Sequence, residues 1–139
     1  MTKNAKQYVL DSFALLAHLE DEVGALRVRA VLKLAEQDEA RVYVSIINLG
    51  ELTYITEREQ GLVAAQTALN AIEQLSIHIL DATRDRVLAA AHIKAHVSIS
   101  YADAFVVAAA QELGAIILTG DPEFGGVENL VSIEWLQRR

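Results

Sequence analysis

Cysteine is absent from this 139-residue sequence, which excludes a disulfide framework and a thiolate metal site. Long hydrophobic runs are also absent, since none approaches the ~20 residues that a membrane-spanning helix requires. The first ten residues, MTKNAKQYVL, lack the apolar region of a signal peptide because their hydrophobic run breaks at Asp11. These absences predict a cytoplasmic protein with no membrane association.

Positive charge is scarce as well: 12 lysines and arginines stand against 19 aspartates and glutamates, and the net charge is −7. This balance argues against a large basic surface for double-stranded DNA. It remains compatible with a nucleic-acid substrate, because acids around a divalent cation raise the negative count while creating a locally positive site. The hydrophobic fraction of 53% is high, which suggests a sheet covered on both faces or an oligomer.

Short apolar segments alternate with longer helical patterns along the chain. The predicted strands span residues 7–10, 42–45, 77–80, 115–118 and 131–133. The predicted helices span residues 13–19, 24–37, 46–58, 62–75, 81–95 and 100–113. This alternation indicates βαβ units and a mainly parallel sheet, and the length predicts one domain over residues 1–139.

Four carboxylates fall where such a sheet would bring them together. Asp11 ends the first strand and Asp121 follows the fourth, at the edge where ligands bind in open α/β sheets. Asp103 lies in the first turn of the helix that precedes the fourth strand. Glu51 is the one charged residue between Ile46 and Ile55, on a helix otherwise suited to burial.

The chemistry of a carboxylate cluster points to a metal. Converging carboxylates repel one another and partly protonate unless a cation neutralises them. Mg²⁺ and Mn²⁺ prefer oxygen ligands, and one or two such ions can activate a water and stabilise the leaving oxygen of a phosphodiester. Ser12 and Thr119 place hydroxyl groups beside Asp11 and Asp121, and Asn48 lies one helical turn before Glu51. The set therefore indicates metal-assisted phosphodiester hydrolysis.

Each acid alone also has a structural interpretation. Asp11 can cap the first helix, and Ser100 and Asp103 have the spacing of a capping box. Asp121 precedes a proline and fits an ordinary turn. Glu51 is harder to explain structurally, because ionised carboxylates are seldom buried unpaired. The four together favour a functional site.

Other candidate sites are less complete. His92 and His96 lie one helical turn apart and could bind a metal, but their segment lacks the glutamate of a zinc-protease motif. Asp81 precedes a helix and is expected to cap it. A receiver-like signalling domain would need adjacent acids after the first strand, whereas Ser12 follows Asp11 here.

Four segments of the chain resemble the motifs of PIN-domain ribonucleases, and among these they are most similar to VapC-type toxins of bacterial and archaeal toxin–antitoxin systems. The segments are Tyr8–Ala17, Ile47–Glu51, Ser98–Phe105 and Leu118–Phe124. The resemblance implies a three-layer α/β/α fold around a mainly parallel sheet of about five strands. It places the family's acidic quartet on Asp11, Glu51, Asp103 and Asp121, with supporting positions at Ser12, Asn48 and Thr119. In this quartet Asp11, Asp103 and Asp121 would be metal ligands, and Glu51 would be either a further ligand or the group that orients the attacking water.

The resemblance also implies partners. An RNA substrate would be cut at the acidic site, and two copies of the chain would form a homodimer. A cognate antitoxin would block the active site with its carboxy-terminal segment, and the antitoxin would bind operator DNA. RNA specificity would depend on groove shape and on basic side chains such as Arg27, Arg29, Arg84 and Arg86. The alternative function is a catalytically silent PIN-like domain that serves in binding or as a scaffold.

Overall fold

Residues 5–137 are described by a computed structural model of the chain, so the predicted domain of residues 1–139 extends beyond them at both ends. The strands are β1 (Lys6–Leu10), β2 (Ala40–Ser45), β3 (His78–Leu80), β4 (Ile116–Thr119) and β5 (Ile133–Trp135). They pair in parallel throughout, in the order β3-β2-β1-β4-β5. The parallel sheet of five strands is as the sequence predicted.

Helices connect the strands. They are α1 (Ser12–Leu19), α2 (Ala25–Glu36), α3 (Ile46–Gln60), α4 (Leu62–Glu73), α5 (Arg84–His96) and α6 (Tyr101–Leu113), and a 3₁₀ helix (Pro122–Val127) follows β4. Gly114 ends α6 in the left-handed region, at φ 63° and ψ 38°, which a residue without a side chain adopts readily.

Buried side chains of the sheet alternate between two apolar clusters. Val9 and Ile117 belong to a cluster shared with α5 and α6. Tyr8 and Leu118, their neighbours in β1 and β4, belong to the opposite cluster with residues of α1, α2, α3 and α4. Because alternate residues of a strand point to opposite faces, both faces of this sheet are covered by helices. This confirms the three-layer α/β/α architecture.

The predicted cap of α5 and the predicted start of the last strand were wrong. Asp81 does not cap α5: the Thr83 side chain does, because it accepts a hydrogen bond from the Arg86 backbone N–H at 3.3 Å. The last strand was expected at residues 131–133 but begins at Ile133. The backbone N–H of Val131 instead donates to the carbonyl of Val127 at 3.2 Å, so the preceding turn extends into the predicted strand.

Between residues 5 and 137, no single helix is long and apolar enough to cross a membrane. The helices α5 and α6 meet that requirement only as a pair, and the pair is bent by 113°.

Candidate metal centre

The candidate site lies where the winding of the sheet changes direction. β2 lies on one side of β1 and β4 on the other, so a crevice forms at the carboxyl ends of β1 and β4. Asp11 directly follows β1, Thr119 is the last residue of β4, and Asp121 comes two residues later. The fold therefore brings two distant segments of the chain to the position where open parallel sheets bind ligands.

Three of the predicted acids form a cluster at this edge. Asp11, Asp103 and Asp121 each place a carboxylate oxygen within 4.8 Å of the others. Asp11 and Asp103 are buried, and Asp121 is half-buried. Asp103 reaches the edge from the first turn of α6, where its backbone N–H donates to the Ser100 hydroxyl at 3.1 Å. We call these residues the three-carboxylate cluster.

Hydrogen bonds fix the orientation of Asp11. Its Oδ1 accepts from the backbone N–H of Ala14 at 2.9 Å, which makes Asp11 the N-cap of α1. Its Oδ2 accepts from the Thr119 hydroxyl at 2.5 Å, and that hydroxyl accepts from the backbone N–H of Asp121 at 3.0 Å. Asp11 is thus both the helix cap that the sequence suggested and a member of the cluster.

Burial and like charge both act on the clustered acids. Burial, followed by the negative charges of Asp103 and Asp121, raises the pKa of Asp11 from 3.8 to about 7. The hydrogen bonds from Thr119 and Ala14 act in the opposite direction but do not offset burial. The pKa of Asp103 also rises to about 7, because of burial first and then the charges of neighbouring acids. Without a metal, Asp11 and Asp103 therefore stay partly protonated near neutral pH.

Glu51 lies close to the three-carboxylate cluster but is not part of it. Its Oε1 accepts a hydrogen bond from the Ser12 hydroxyl at 2.5 Å, and both residues are half-buried. Its charge contributes to the raised pKa of Asp103, which shows that the two carboxylates are close. The sequence placed the Ser12 hydroxyl beside Asp11, but its hydrogen bond is to Glu51.

Asn48 ties α3 to the beginning of α6. Its Nδ2 donates to the backbone carbonyl of Ala102 at 3.3 Å, next to Asp103, and its side chain is fully buried. Its Oδ1 has no hydrogen-bond partner in the part of the chain that the structure describes. A buried acceptor without a donor destabilises a fold by about 1–3 kcal/mol. A donor from outside the protein, such as a metal-bound water, would remove that penalty.

The donor set fits a hard divalent cation. The clustered ligand atoms are all carboxylate oxygens, and no lysine or arginine among residues 5–137 forms an ion pair with them. A cation would offset their mutual repulsion, and Mg²⁺ and Mn²⁺ are the ions that prefer such ligands. His92 and His96 are exposed, with ring centroids 4.9 Å apart, and in the described residues they have no third ligand.

The four arginines suggested as RNA contacts each lie beside a carboxylate outside the cluster. The pairs are Arg27 with Glu134, Arg29 with Asp21, Arg84 with Asp85 and Arg86 with Glu112. A role of these arginines in RNA binding stays a prediction.

Two residues of the site were not predicted from the sequence. Glu123 donates its backbone N–H to Asp121 Oδ1 at 2.9 Å, and its charge adds to the raised pKa of Asp103. Gly120 packs against the Phe13 ring so closely that a Cβ atom there would lie 2.3 Å from Phe13 Cε1. Glu123 could have been predicted, because it is an acid two residues after Asp121 in the sequence. The contact of Gly120 could not, because it depends on tertiary packing.

The fold and its motifs match known proteins. A family model of the PIN domain matches residues 8–130. The fold is similar to that of VapBC2 from Rickettsia felis bound to a promoter DNA fragment, with a TM-score of 0.73 and 18% identity over 94% of this chain and 99% of that one. VapC20 of Mycobacterium tuberculosis, a toxin that cleaves the sarcin-ricin loop, is similar with a TM-score of 0.67 and 19% identity, over 86% of this chain and 93% of that one.

FitAcB from Neisseria gonorrhoeae is also similar, with a TM-score of 0.66 and 21% identity over 91% of this chain and 95% of that one. No curated protein matches the sequence. At sequence identities this low, the similarity to solved structures establishes the fold alone. The family is established by the family model, which matches most of the chain. The resemblance seen in the sequence motifs is confirmed, and this chain belongs to the PIN domain family.

Proposed function

We propose that this protein is a metal-dependent endoribonuclease and the toxin of a VapBC-type toxin–antitoxin pair. The observation that carries the proposal is the three-carboxylate cluster at the carboxyl ends of β1 and β4 in a PIN domain. A cluster of this composition suits phosphodiester hydrolysis, because it can hold cations against the negative charge of the phosphate.

Asp11, Asp103 and Asp121 would hold one or two Mg²⁺ or Mn²⁺ ions. Such an ion, when bound, lowers the pKa of water and stabilises the leaving oxygen of a phosphodiester. The Thr119 hydroxyl keeps Asp11 in one orientation through its bond to Oδ2. Preorganised ligands of this kind need no rearrangement when the substrate binds.

Glu51 would orient the attacking water. It is a carboxylate outside the cluster, with one oxygen bonded to Ser12 and the other oxygen without a hydrogen-bond partner among residues 5–137. Asn48 supports this arrangement, because it holds α3, which carries Glu51, against the start of α6, which carries Asp103. The site thus has separate groups for the cation and for the water.

We also propose a cognate antitoxin and a second copy of the chain as partners. The fold is shared with VapBC2 of Rickettsia felis, which was solved bound to a fragment of promoter DNA, and with a toxin–antitoxin complex from Klebsiella pneumoniae. Large apolar side chains exposed on the described surface include Leu26, which is 80% exposed, and Val63, which is 77% exposed. Partner proteins would cover such residues. The net charge of −7 suits a chain that leaves operator DNA to its partner.

The test is cleavage of total cellular RNA by the purified protein. Discrete fragments are expected with Mg²⁺ or Mn²⁺, none with EDTA, and none with the Asp103→Asn variant. Glu112→Gln is the matched control, because Glu112 is a carboxylate on the same helix that pairs with Arg86. We expect it to cleave like the wild type. Absence of cleavage with every metal, or equal cleavage by Asp103→Asn, would instead favour a catalytically silent binding domain.

A further inference from the structure

A hydrogen bond between Ser12 and Glu51 joins two helices beside the cluster. Ser12 is the first residue of α1 and Glu51 lies on α3, 39 residues apart in sequence, yet Ser12 Oγ donates to Glu51 Oε1 at 2.5 Å. A hydroxyl that donates to an ionised carboxylate makes a short and strong bond. The bond therefore restrains a side chain that would otherwise have several free rotamers.

Among the described residues, the hydrogen bond from Ser12 is the only restraint on the Glu51 carboxylate. Within residues 5–137, no other group donates a hydrogen bond to it and no lysine or arginine pairs with it. Ser12 directly follows Asp11, so its hydrogen bond holds the Glu51 carboxylate beside the cluster, where its charge interacts with that of Asp103. A flexible carboxylate at this position would be drawn to any cation that the cluster holds, because opposite charges attract strongly in a partly buried site.

We propose that Ser12 is a positioning residue that keeps Glu51 from becoming a fourth metal ligand. The proposal rests on the proposed function, in which Asp11, Asp103 and Asp121 hold the cation and Glu51 serves the attacking water. The hydroxyl bond anchors one carboxylate oxygen between α1 and α3 and so holds Glu51 outside the three-carboxylate cluster, where its other oxygen serves the attacking water. Ser12 acts through Glu51 and does not itself touch the reacting atoms.

Removal of the Ser12 hydroxyl should strengthen metal binding but slow RNA cleavage. In Ser12→Ala, Glu51 becomes free to join the cluster, so Mn²⁺ should bind more tightly while RNA cleavage becomes slower. A variant that merely loosens the fold would bind the ion more weakly and cleave more slowly. Tighter binding together with slower cleavage thus separates positioning from a structural role.

Metal affinity is measured first, by calorimetric titration with Mn²⁺ at one pH and ionic strength. Ser12→Ala should bind Mn²⁺ at least about threefold more tightly, because an additional carboxylate ligand strengthens the binding of a hard cation. Ser12→Thr, which retains the hydroxyl, should restore the wild-type affinity. In a Glu51→Gln background, the substitution of Ser12 should no longer change the affinity, since the carboxylate on which it acts is absent.

Cleavage is measured under single-turnover conditions with saturating Mn²⁺. Ser12→Ala should be slower by about 10-fold, in the range expected when a reacting group is misplaced. The double variant Ser12→Ala/Glu51→Gln should be no slower than Glu51→Gln alone. Thr53→Val is the matched control, because the Thr53 hydroxyl on α3 donates to the backbone carbonyl of Leu49 and does not reach the site. It should leave affinity and rate unchanged.

The affinity pattern decides the inference. Unchanged or weaker Mn²⁺ binding in Ser12→Ala would overturn it, and so would an equal change in the Glu51→Gln background. If the wild type cleaves no RNA but the affinity pattern appears, the role of Ser12 stands and the proposed nuclease function is wrong. If the wild type binds no Mn²⁺, both are overturned.

Discussion

Two groups of carboxylates occupy different regions of this protein. On the outer surface, Glu134 pairs with Arg27 and Glu112 pairs with Arg86, and each glutamate accepts two hydrogen bonds from its arginine. At the carboxyl ends of β1 and β4, the three-carboxylate cluster has no such partner in the part of the chain that the structure describes. One region neutralises its acids with arginine, and the other places its acids beside one another.

The two regions also differ in protonation. The hydrogen bond and charge of Arg27 lower the pKa of Glu134, whereas burial raises the pKa of Asp11 to about 7. A paired acid is ionised at neutral pH and contributes modestly to stability. A buried, clustered acid destabilises the metal-free fold once it ionises. The difference supports the proposal that the cluster holds a cation, since the cluster does not improve the stability of the protein alone.

The largest expected effect is on cleavage. Asp11→Asn should lower the single-turnover rate with Mn²⁺ by at least about 100-fold, as the loss of one preorganised electrostatic contact typically does. Glu134→Gln, which removes a paired surface carboxylate, should change the rate less than about twofold. Circular dichroism should show both variants folded. A comparable rate loss in both variants would remove the functional distinction between the two regions.

Stability without metal should depend on pH in the direction set by the cluster. Because the folded-state pKa of Asp11 and of Asp103 is about 7, above the ordinary 3.8, their contribution to stability is fully present below pH 4. It is lost as the pH rises through 7. In EDTA, the Tm should therefore fall by roughly 5–10 °C between pH 5 and pH 8. Scanning calorimetry at constant ionic strength measures this change.

Substitution at each region sharpens the pH experiment. Asp11→Asn should raise the Tm at pH 8 in EDTA and flatten its pH dependence, because the buried ionisation is gone. Glu134→Gln should retain the wild-type dependence, since its lowered pKa places its effect below this pH range. Mn²⁺ should raise the wild-type Tm more at pH 8 than at pH 5, because it binds the deprotonated carboxylates. A Tm that rises from pH 5 to pH 8 in EDTA would contradict the account of the cluster.

Gly120, which lies between Thr119 and Asp121, packs closely against the Phe13 ring, and substitution of Gly120 tests how much this contact stabilises the fold. Gly120→Ala would place a Cβ atom 2.3 Å from Phe13 Cε1, so the ring must move. We expect a loss of about 1–3 kcal/mol in the free energy of unfolding, measured by urea denaturation. Gly125→Ala is the control, because a Cβ atom there meets nothing within 4 Å. Phe13→Leu in the Gly120→Ala background should recover part of the loss; no difference between the two alanine variants would contradict this packing argument.

The parts of the site that could be predicted from the sequence are those set by local signals. Asp11 follows an apolar strand, and Asp103 lies three residues after the helix-capping Ser100. Parallel strands bring their carboxyl ends to one edge, so the meeting of these acids with Asp121 follows from the order of elements. The fold class was predictable for the same reason, since the alternation of strand and helix patterns is itself local.

The parts that could not be predicted depend on how elements pack. The bond from Ser12 to Glu51 requires a particular approach of α1 to α3, which no spacing in the sequence specifies. Asp81 and Thr83 are both suitable caps, and the choice between them depends on where α5 begins after β3. The sequence also could not show that Arg27 bonds to a glutamate 107 residues away.

The smallest expected effect comes from that surface pair. Arg27 and Glu134 are linked by two hydrogen bonds, of 2.5 and 2.9 Å, but their side chains remain 44% and 33% exposed. Arg27→Gln should therefore reduce the free energy of unfolding by only about 0.5–1 kcal/mol, and 1 M NaCl should reduce the difference, because the screening length there is about 3 Å. Urea denaturation of both single variants and the double variant gives the coupling energy. A coupling energy well above this range and unaffected by salt would mean that the pair stabilises the fold as strongly as core residues do. The surface pair and the three-carboxylate cluster would then differ in where they lie, and the pairing with arginine would no longer mark the weaker region.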